Sequence, residues 1–120
     1  MELSEERRGG ITVLRPHVRR LDAAVAGAFK DRALGAVARS GGHVVIDLSE
    51  VEFVDSSGLG AVVAVLKRLG PDGRLGLVGV RDTVATVLKL TRLDRVVPIL
   101  EAAEDLLQGE AARSPAAAVS

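Results

Sequence analysis

Apolar and polar residues follow one another in blocks that switch between the period of a strand and that of a helix. "ITVL" at 11–14, followed by Arg15-Pro16 and "HVRRL", reads as one or two short strands, with Pro16 marking an edge or a break. Asp22 then stands where a helix N-cap belongs, ahead of "AAVAGAFKDRALGAVA". There Val25, Phe29, Ala33 and Val37 recur every fourth residue, which predicts a first helix ending near Ser40-Gly41-Gly42. "HVVIDL" at 43–48 holds the unbroken run Val44-Val45-Ile46, the pattern of a strand covered on both faces in the middle of a parallel sheet. "VEFV" at 51–54 alternates like a strand. "LGAVVAVLKRL" then puts Leu59, Val62, Val63, Leu66 and Leu69 at helical spacing, so a second helix starts within or just after Ser56-Ser57. The turn "GPDG" leads into the strand "RLGLVGV", whose Gly76 and Gly79 suggest close backbone approach. A third helix is expected from about Asp82 to Thr91, offering Val84, Val87, Leu88 and, as a further candidate, Leu90 to the core. Val96 to Leu100 reads as a short last strand and "EAAEDLLQ" as a final helix with acids in its first turn.

Strands and helices alternating at short spacing predict an α/β fold, a small mixed and mostly parallel sheet flanked by about four helices. The right-handed crossover rule then puts the end of "HVVIDL" and the start of the second helix at the carboxyl edge of that sheet, where α/β folds place their sites. At 120 residues the chain is expected to form one domain over 11–108, with a short N-terminal segment at 1–10 and a flexible tail at 109–120.

Composition narrows the function. Sixteen basic residues balance sixteen acidic ones, and Phe29 and Phe53 are the only aromatic side chains. Electrostatic capture of nucleic acid and a base-stacking platform are both disfavoured. The absence of cysteine removes disulfides, thiolate metal sites and a cysteine nucleophile, and suits a reducing compartment, with the cytoplasm as the default. "MELSEERRGG" lacks the apolar centre of a signal peptide and no stretch is long and apolar enough for a membrane span, so no membrane insertion is expected.

Candidate chemistry gathers at Asp55-Ser56-Ser57-Gly58-Leu59-Gly60. A dinucleotide fingerprint fails because Val63 stands at its third glycine position, and a phosphate-binding P-loop fails because no lysine follows before Lys67. The G-x-S-x-G elbow of hydrolases is absent, since Val54 and Asp55 stand two residues before Ser56 and Ser57. His17 lies in an Arg-rich stretch with no evident orienting acid, and His43 begins a strand at the end away from the serines. Asp47 and Asp55 read as a turn acid and a cap acid rather than as metal ligands. Neither a catalytic constellation, a metal site nor a cofactor site is expected, and the chain does not read as an enzyme. Asp55, Ser56 and Ser57 are all cap-type residues at a helix amino end. Three of them followed by two glycines exceed what a cap requires, since each interior helical glycine costs about 0.5–1 kcal/mol relative to alanine. On this reading Asp55 and Ser56 serve the cap and turn while Gly58 and Gly60 keep the surface bare.

"VVIDLSEVEFVDSSGLGAVVAVLKRL" resembles the central signature of STAS domains, in particular bacterial anti-sigma factor antagonists. The similarity extends to "RLDAAVAGAF", "GRLGLVGV" and "VLKLTRLDRVVPI", so that it spans roughly 11–108. It implies that Ser57, the second serine of D-S-S-G, accepts a phosphate from a partner anti-sigma factor with serine kinase activity. Asp55, Ser56, Gly58, Leu59 and Gly60 would form the recognised loop, with Asp22 beside it on the docking surface. The resemblance further implies that unphosphorylated antagonist sequesters the anti-sigma factor and frees the sigma factor, that the phosphorylated form cannot, and that a serine phosphatase removes the phosphate to restore the serine. The alternative is a STAS scaffold subunit of a signalling assembly or transporter system, and the free protein is expected to be a monomer or weak dimer. Two positions depart from the family pattern, with Arg20 and Arg92 where glycine is common. Together with Arg15 and Arg19 they form either a solvated rim or, if clustered near Ser57, a group able to hold a phosphate.

Overall fold

The computed structural model describes residues 1–108. Its main sheet has four strands, β1 (Leu3–Arg8), β2 (Ile11–Pro16), β4 (His43–Asp47) and β6 (Arg74–Val78), in the order β1-β2-β4-β6. β1 and β2 run antiparallel as a hairpin, closed by Gly9 and Gly10 at φ 57° and 87°, the left-handed pair that a two-residue turn needs. β2, β4 and β6 are parallel, so the sheet is mixed and mostly parallel as expected. Residues 3–8 show no apolar alternation because only Leu3 among them is even half-buried. They join the sheet through the backbone ladder and through polar side-chain contacts such as Arg39 with Glu5 at 2.7 Å.

Two further short strands, β3 (Arg20–Leu21) and β5 (Phe53–Val54), form a separate parallel pair. They continue the chain beyond the carboxyl ends of β2 and β4, and each leads straight into a helix: α1 (Ala23–Ala38) after β3 and α2 (Ser56–Leu69) after β5. Both helix starts therefore lie at the carboxyl edge of the sheet.

Alternation along β4 sends Val44 and Ile46 to one face and Val45 to the other. The first face carries the larger core, where Leu14, Ile46 and Leu77 meet Phe29 of α1, Val62 and Val65 of α2, and Val84 and Leu88 of α3 (Asp82–Leu90). On the second face Ile11, Val13, Val45 and Val78 are covered by Leu100, Ala103 and Leu106, one short segment.

The structure shifts four details. The buried line of α2 is Gly58, Ala61, Val62 and Val65, while Leu59, Val63, Leu66 and Leu69 flank it half-buried. Small residues at 58 and 61 bring the helix close to its neighbours, which an apolar count does not register. Leu90 is 79% exposed, because it lies two residues past Leu88 and so on the opposite side of α3. The stretch 96–100 makes a single bridge, Leu77 to Ile99, with Leu77 N–H donating to the Pro98 carbonyl and Leu100 N–H to Leu77. Pro98 has no N–H with which to extend it, and a 3₁₀ turn (Leu93–Arg95) precedes. The last helix begins at 105 instead of 101, with the Asp105 carboxylate accepting from Ala102 N–H at 3.1 Å. The tail expected at 109–120 lies outside the described residues.

Candidate functional site

The site grows from one carboxylate. Asp55 follows β5 as the N-cap of α2, its Oδ1 accepting from Gly58 N–H at 3.0 Å. Its Oδ2 accepts from Ala23 N–H at 3.2 Å, the first residue of α1. Asp22 supplies the remaining cap of that helix, with Oδ1 accepting from Ala24 N–H at 3.1 Å. Asp55 therefore fastens two helix amino ends together. One such cap contributes typically about 1 kcal/mol, and here a single side chain makes two.

Gly58 holds this junction close. A Cβ built on it would lie 2.2 Å from the Leu21 carbonyl oxygen and 3.0 Å from Val54 Cγ1. It is buried against β3, which corrects the expectation that it keeps the surface bare. That description does fit Gly60, which is exposed, with nothing within 4 Å of the point where a Cβ would stand.

Ser56 and Ser57 are exposed in the first turn of α2. Among the described residues no hydrogen bond engages either hydroxyl. The cap is thus the work of Asp55 and not of Ser56, because Asp55 occupies the N-cap and Ser56 is already helical. The N–H groups of Ser56 and Ser57 precede the first intrahelical bond, so the hydroxyls stand beside unpaired donors at the positive end of the helix. Leu59 is half-buried, packed against the core. Asp55, Ser56, Ser57, Gly58, Leu59, Gly60 and Asp22 are thus one locality, in which the exposed members are Ser56, Ser57 and Gly60.

Three of the four arginines are paired with carboxylates. Arg15 makes a two-nitrogen contact with Asp47 Oδ2 at 3.1 and 2.9 Å, and Arg19 reaches Glu52 at 3.2 Å. Arg20 donates from Nε to Asp22 Oδ2 at 3.3 Å and lies over the Phe53 ring, 4.2 Å from its centroid. Arg92 follows α3 with φ 63°.

Asp47 lies at the carboxyl end of β4 and its side chain is 13% exposed. Burial pushes its pKa up, but hydrogen bonds from Ser49 and the Arg15 guanidinium outweigh this and hold it below the ordinary carboxylate value. Asp55 is engaged by two N–H groups, and Asp47 by Arg15 and Ser49. Among the described residues no group of three or more His, Asp or Glu side chains is placed to hold a metal.

His17 does have an orienting acid. Its Nδ1 lies 2.9 Å from Glu50 Oε2 and its Nε2 2.5 Å from Ser4 Oγ. Glu50 is 33 residues away in sequence, which is why spacing did not reveal it. The order is that of nucleophile, base and carboxylate, but Ser4 and Glu50 are exposed. Open to water, the chain of contacts latches β1 to the loop after β4 and lacks the dry, pre-arranged environment that activates a hydroxyl.

A four-stranded mixed sheet, three helices on one face and a short one against the other, and two exposed serines at a joined pair of helix amino ends define a small α/β domain with its distinctive chemistry on an open surface. The STAS domain family model matches residues 2–106, and the chain belongs to that family. Its fold is similar to an anti-sigma factor antagonist from Mycobacterium paratuberculosis, with 30% identity, a TM-score of 0.80, and coverage of 90% of this chain and 92% of that one. An anti-sigma-factor antagonist (STAS) domain protein of Planctomyces limnophilus matches at 29% identity and TM-score 0.79, over 88% of this chain and 95% of that one. A Thermotoga maritima protein named as a candidate anti-sigma factor antagonist is 36% identical over 66 residues, 54% of this chain and 58% of that relative. No helix among the described residues is long and apolar enough to cross a membrane.

Proposed function

We propose that this protein is a phosphorylation-switched anti-sigma factor antagonist whose modified residue is Ser57. The observation that carries the reading is the position of Ser57: an exposed hydroxyl with no partner among the described residues, on a helix start that Asp55 and Gly58 hold rigid. The names of similar proteins supply the kind of partner, an anti-sigma factor, here one with serine kinase activity acting in the cytoplasm. The γ-phosphoryl of its ATP passes to Ser57 Oγ, the hydroxyl proton leaves to a base of the kinase, and ADP departs.

The modification adds about −1.5 to −2 charges. At the amino end of α2 the helix dipole and unpaired N–H groups favour an anion, so the domain needs no refolding. The switch acts at the surface, where charge and bulk remove complementarity to the partner, and a serine phosphatase reverses it.

The test is incubation with serine-kinase anti-sigma factors and ATP, followed by mass-spectrometric mapping. Ser57 should carry the phosphate, Ser57→Ala should block it while leaving the partner bound, and Ser57→Asp should weaken binding. Modification that survives Ser57→Ala and vanishes in Ser56→Ala would overturn the residue assignment. No modification by any kinase, with capture of transporter or scaffold components only, would replace this reading with that of a STAS scaffold subunit.

A further inference from the structure

β3 and β5 are two residues long, and their alternation divides them cleanly. Leu21 and Val54 turn inward and are buried, while Arg20 and Phe53, opposite each other in the register, turn outward. Phe53 is 40% exposed, whereas Phe29, the other aromatic residue, is wholly buried. An exposed aromatic ring under a guanidinium 4.2 Å from its centroid is therefore the single aromatic surface feature of the described residues, and it stands two residues before Asp55.

The pair is also held in place. Arg20 Nε donates to Asp22 Oδ2, and Asp22 is itself fixed by capping α1. Stacking and this hydrogen bond set the plane of the guanidinium. Its two terminal nitrogens make no hydrogen bond to a described residue. A planar donor fork with its far edge open is the geometry that takes a carboxylate with two parallel bonds, and a lysine cannot reproduce it. The exposed part of the Phe53 ring beside it offers an apolar contact. Rigid stacked side chains of these two types dominate interface energetics when a partner covers them, since little conformational freedom is left to lose.

We propose that the Arg20–Phe53 stack is a specificity contact for the same partner that modifies Ser57, receiving an acidic side chain on the guanidinium and an apolar one on the ring. The proposal rests on the phosphorylation-switch reading and commits to a protein partner with a carboxylate facing position 20. Continuity supports it: Arg20 bonds to Asp22, Asp55 bonds to the start of α1 beside Asp22, and Phe53 stands two residues before Asp55, so the stack adjoins the turn that carries Ser57.

The test uses the full chain, a panel of serine-kinase anti-sigma factors, and Arg20→Ala, Arg20→Lys and Phe53→Leu variants, each checked by thermal melting. Dissociation constants and the steady-state kinetics of Ser57 phosphorylation are measured. Arg20→Ala should weaken binding about 30-fold, and Arg20→Lys and Phe53→Leu roughly 10-fold. In phosphorylation KM should rise with kcat unchanged, and because unfolded substrate would raise the apparent KM in the same way, the melts must show each variant fully folded at the assay temperature. If the parent binds and is phosphorylated at Ser57 while all three variants match it, the stack is not a contact and the proposal fails alone. If no kinase binds the parent, the phosphorylation reading fails and this proposal with it.

Discussion

Gly58 and Gly60 lie two residues apart in one helix, and the same substitution should move stability in opposite directions at the two positions. Intrinsic propensity favours alanine at both by about 0.5–1 kcal/mol. At Gly60 nothing opposes that preference, because no atom lies within 4 Å of the added Cβ. At Gly58 the Cβ would sit 2.2 Å from the Leu21 carbonyl oxygen. A comfortable carbon–oxygen contact is about 3.3 Å, so β3 and α2 must part by roughly 1 Å. Overpacking of this kind costs about 1–3 kcal/mol. The movement also pulls on the Asp55 bonds to Gly58 and Ala23, worth about 1 kcal/mol as a cap. Gly58→Ala should therefore lose about 2–3 kcal/mol while Gly60→Ala gains about 0.5–1 kcal/mol. Urea titrations followed by circular dichroism at 25 °C would measure both, and melting temperatures should separate by more than about 8 °C for a domain of this size. A Gly58→Ala protein as stable as Gly60→Ala would refute the tight β3–α2 contact.

Two further predictions concern charge and backbone. Because the folded pKa of Asp47 is depressed, its contribution is fully present above the unfolded value of about 3.9 and is lost as pH falls through the folded value. Asp47→Asn should therefore lower stability at neutral pH and flatten the acid limb of stability against pH. An unchanged slope below about pH 4 would contradict the Asp47–Arg15–Ser49 arrangement. Arg92 occupies the left-handed region at φ 63°, a conformation costing a non-glycine residue roughly 1–2 kcal/mol. Arg92→Gly relieves it but loosens the unfolded chain by about 0.4–1 kcal/mol, so denaturation should show a net gain of about 0–1.6 kcal/mol, and a clear loss would mean that the arginine makes a compensating contact.

What the sequence made legible was whatever depends on neighbours along the chain. The Asp22 cap, the doubly covered strand at Val44-Val45-Ile46 and the helix beginning at Ser56 follow from local chemistry, and the family signature led to the STAS fold. What it hid depends on residues about thirty positions apart. Asp55 reads as the cap of its own helix, and nothing near it announces the bond to Ala23. The Glu50 partner of His17 is concealed in the same way. Gly58 looks like a device for exposure until the Leu21 carbonyl is seen against it. β1 is hidden for another reason: a strand with one half-buried residue and five exposed ones has no hydrophobic period to find.

That polar outer strand has a consequence for the behaviour of the chain in a crowded solution. β2 is buried along most of its length and carries "ITVL", a short β-branched run of the type that seeds intermolecular pairing. Were it the sheet's border, its open N–H and C=O groups would accept a strand from any other copy. β1 satisfies those groups instead and turns Glu5, Glu6, Arg7 and Arg8 outward as the border of the sheet. Charged side chains at an edge discourage further strands from adding. The strand that contributes least to the core is the one that protects the sheet from aggregation.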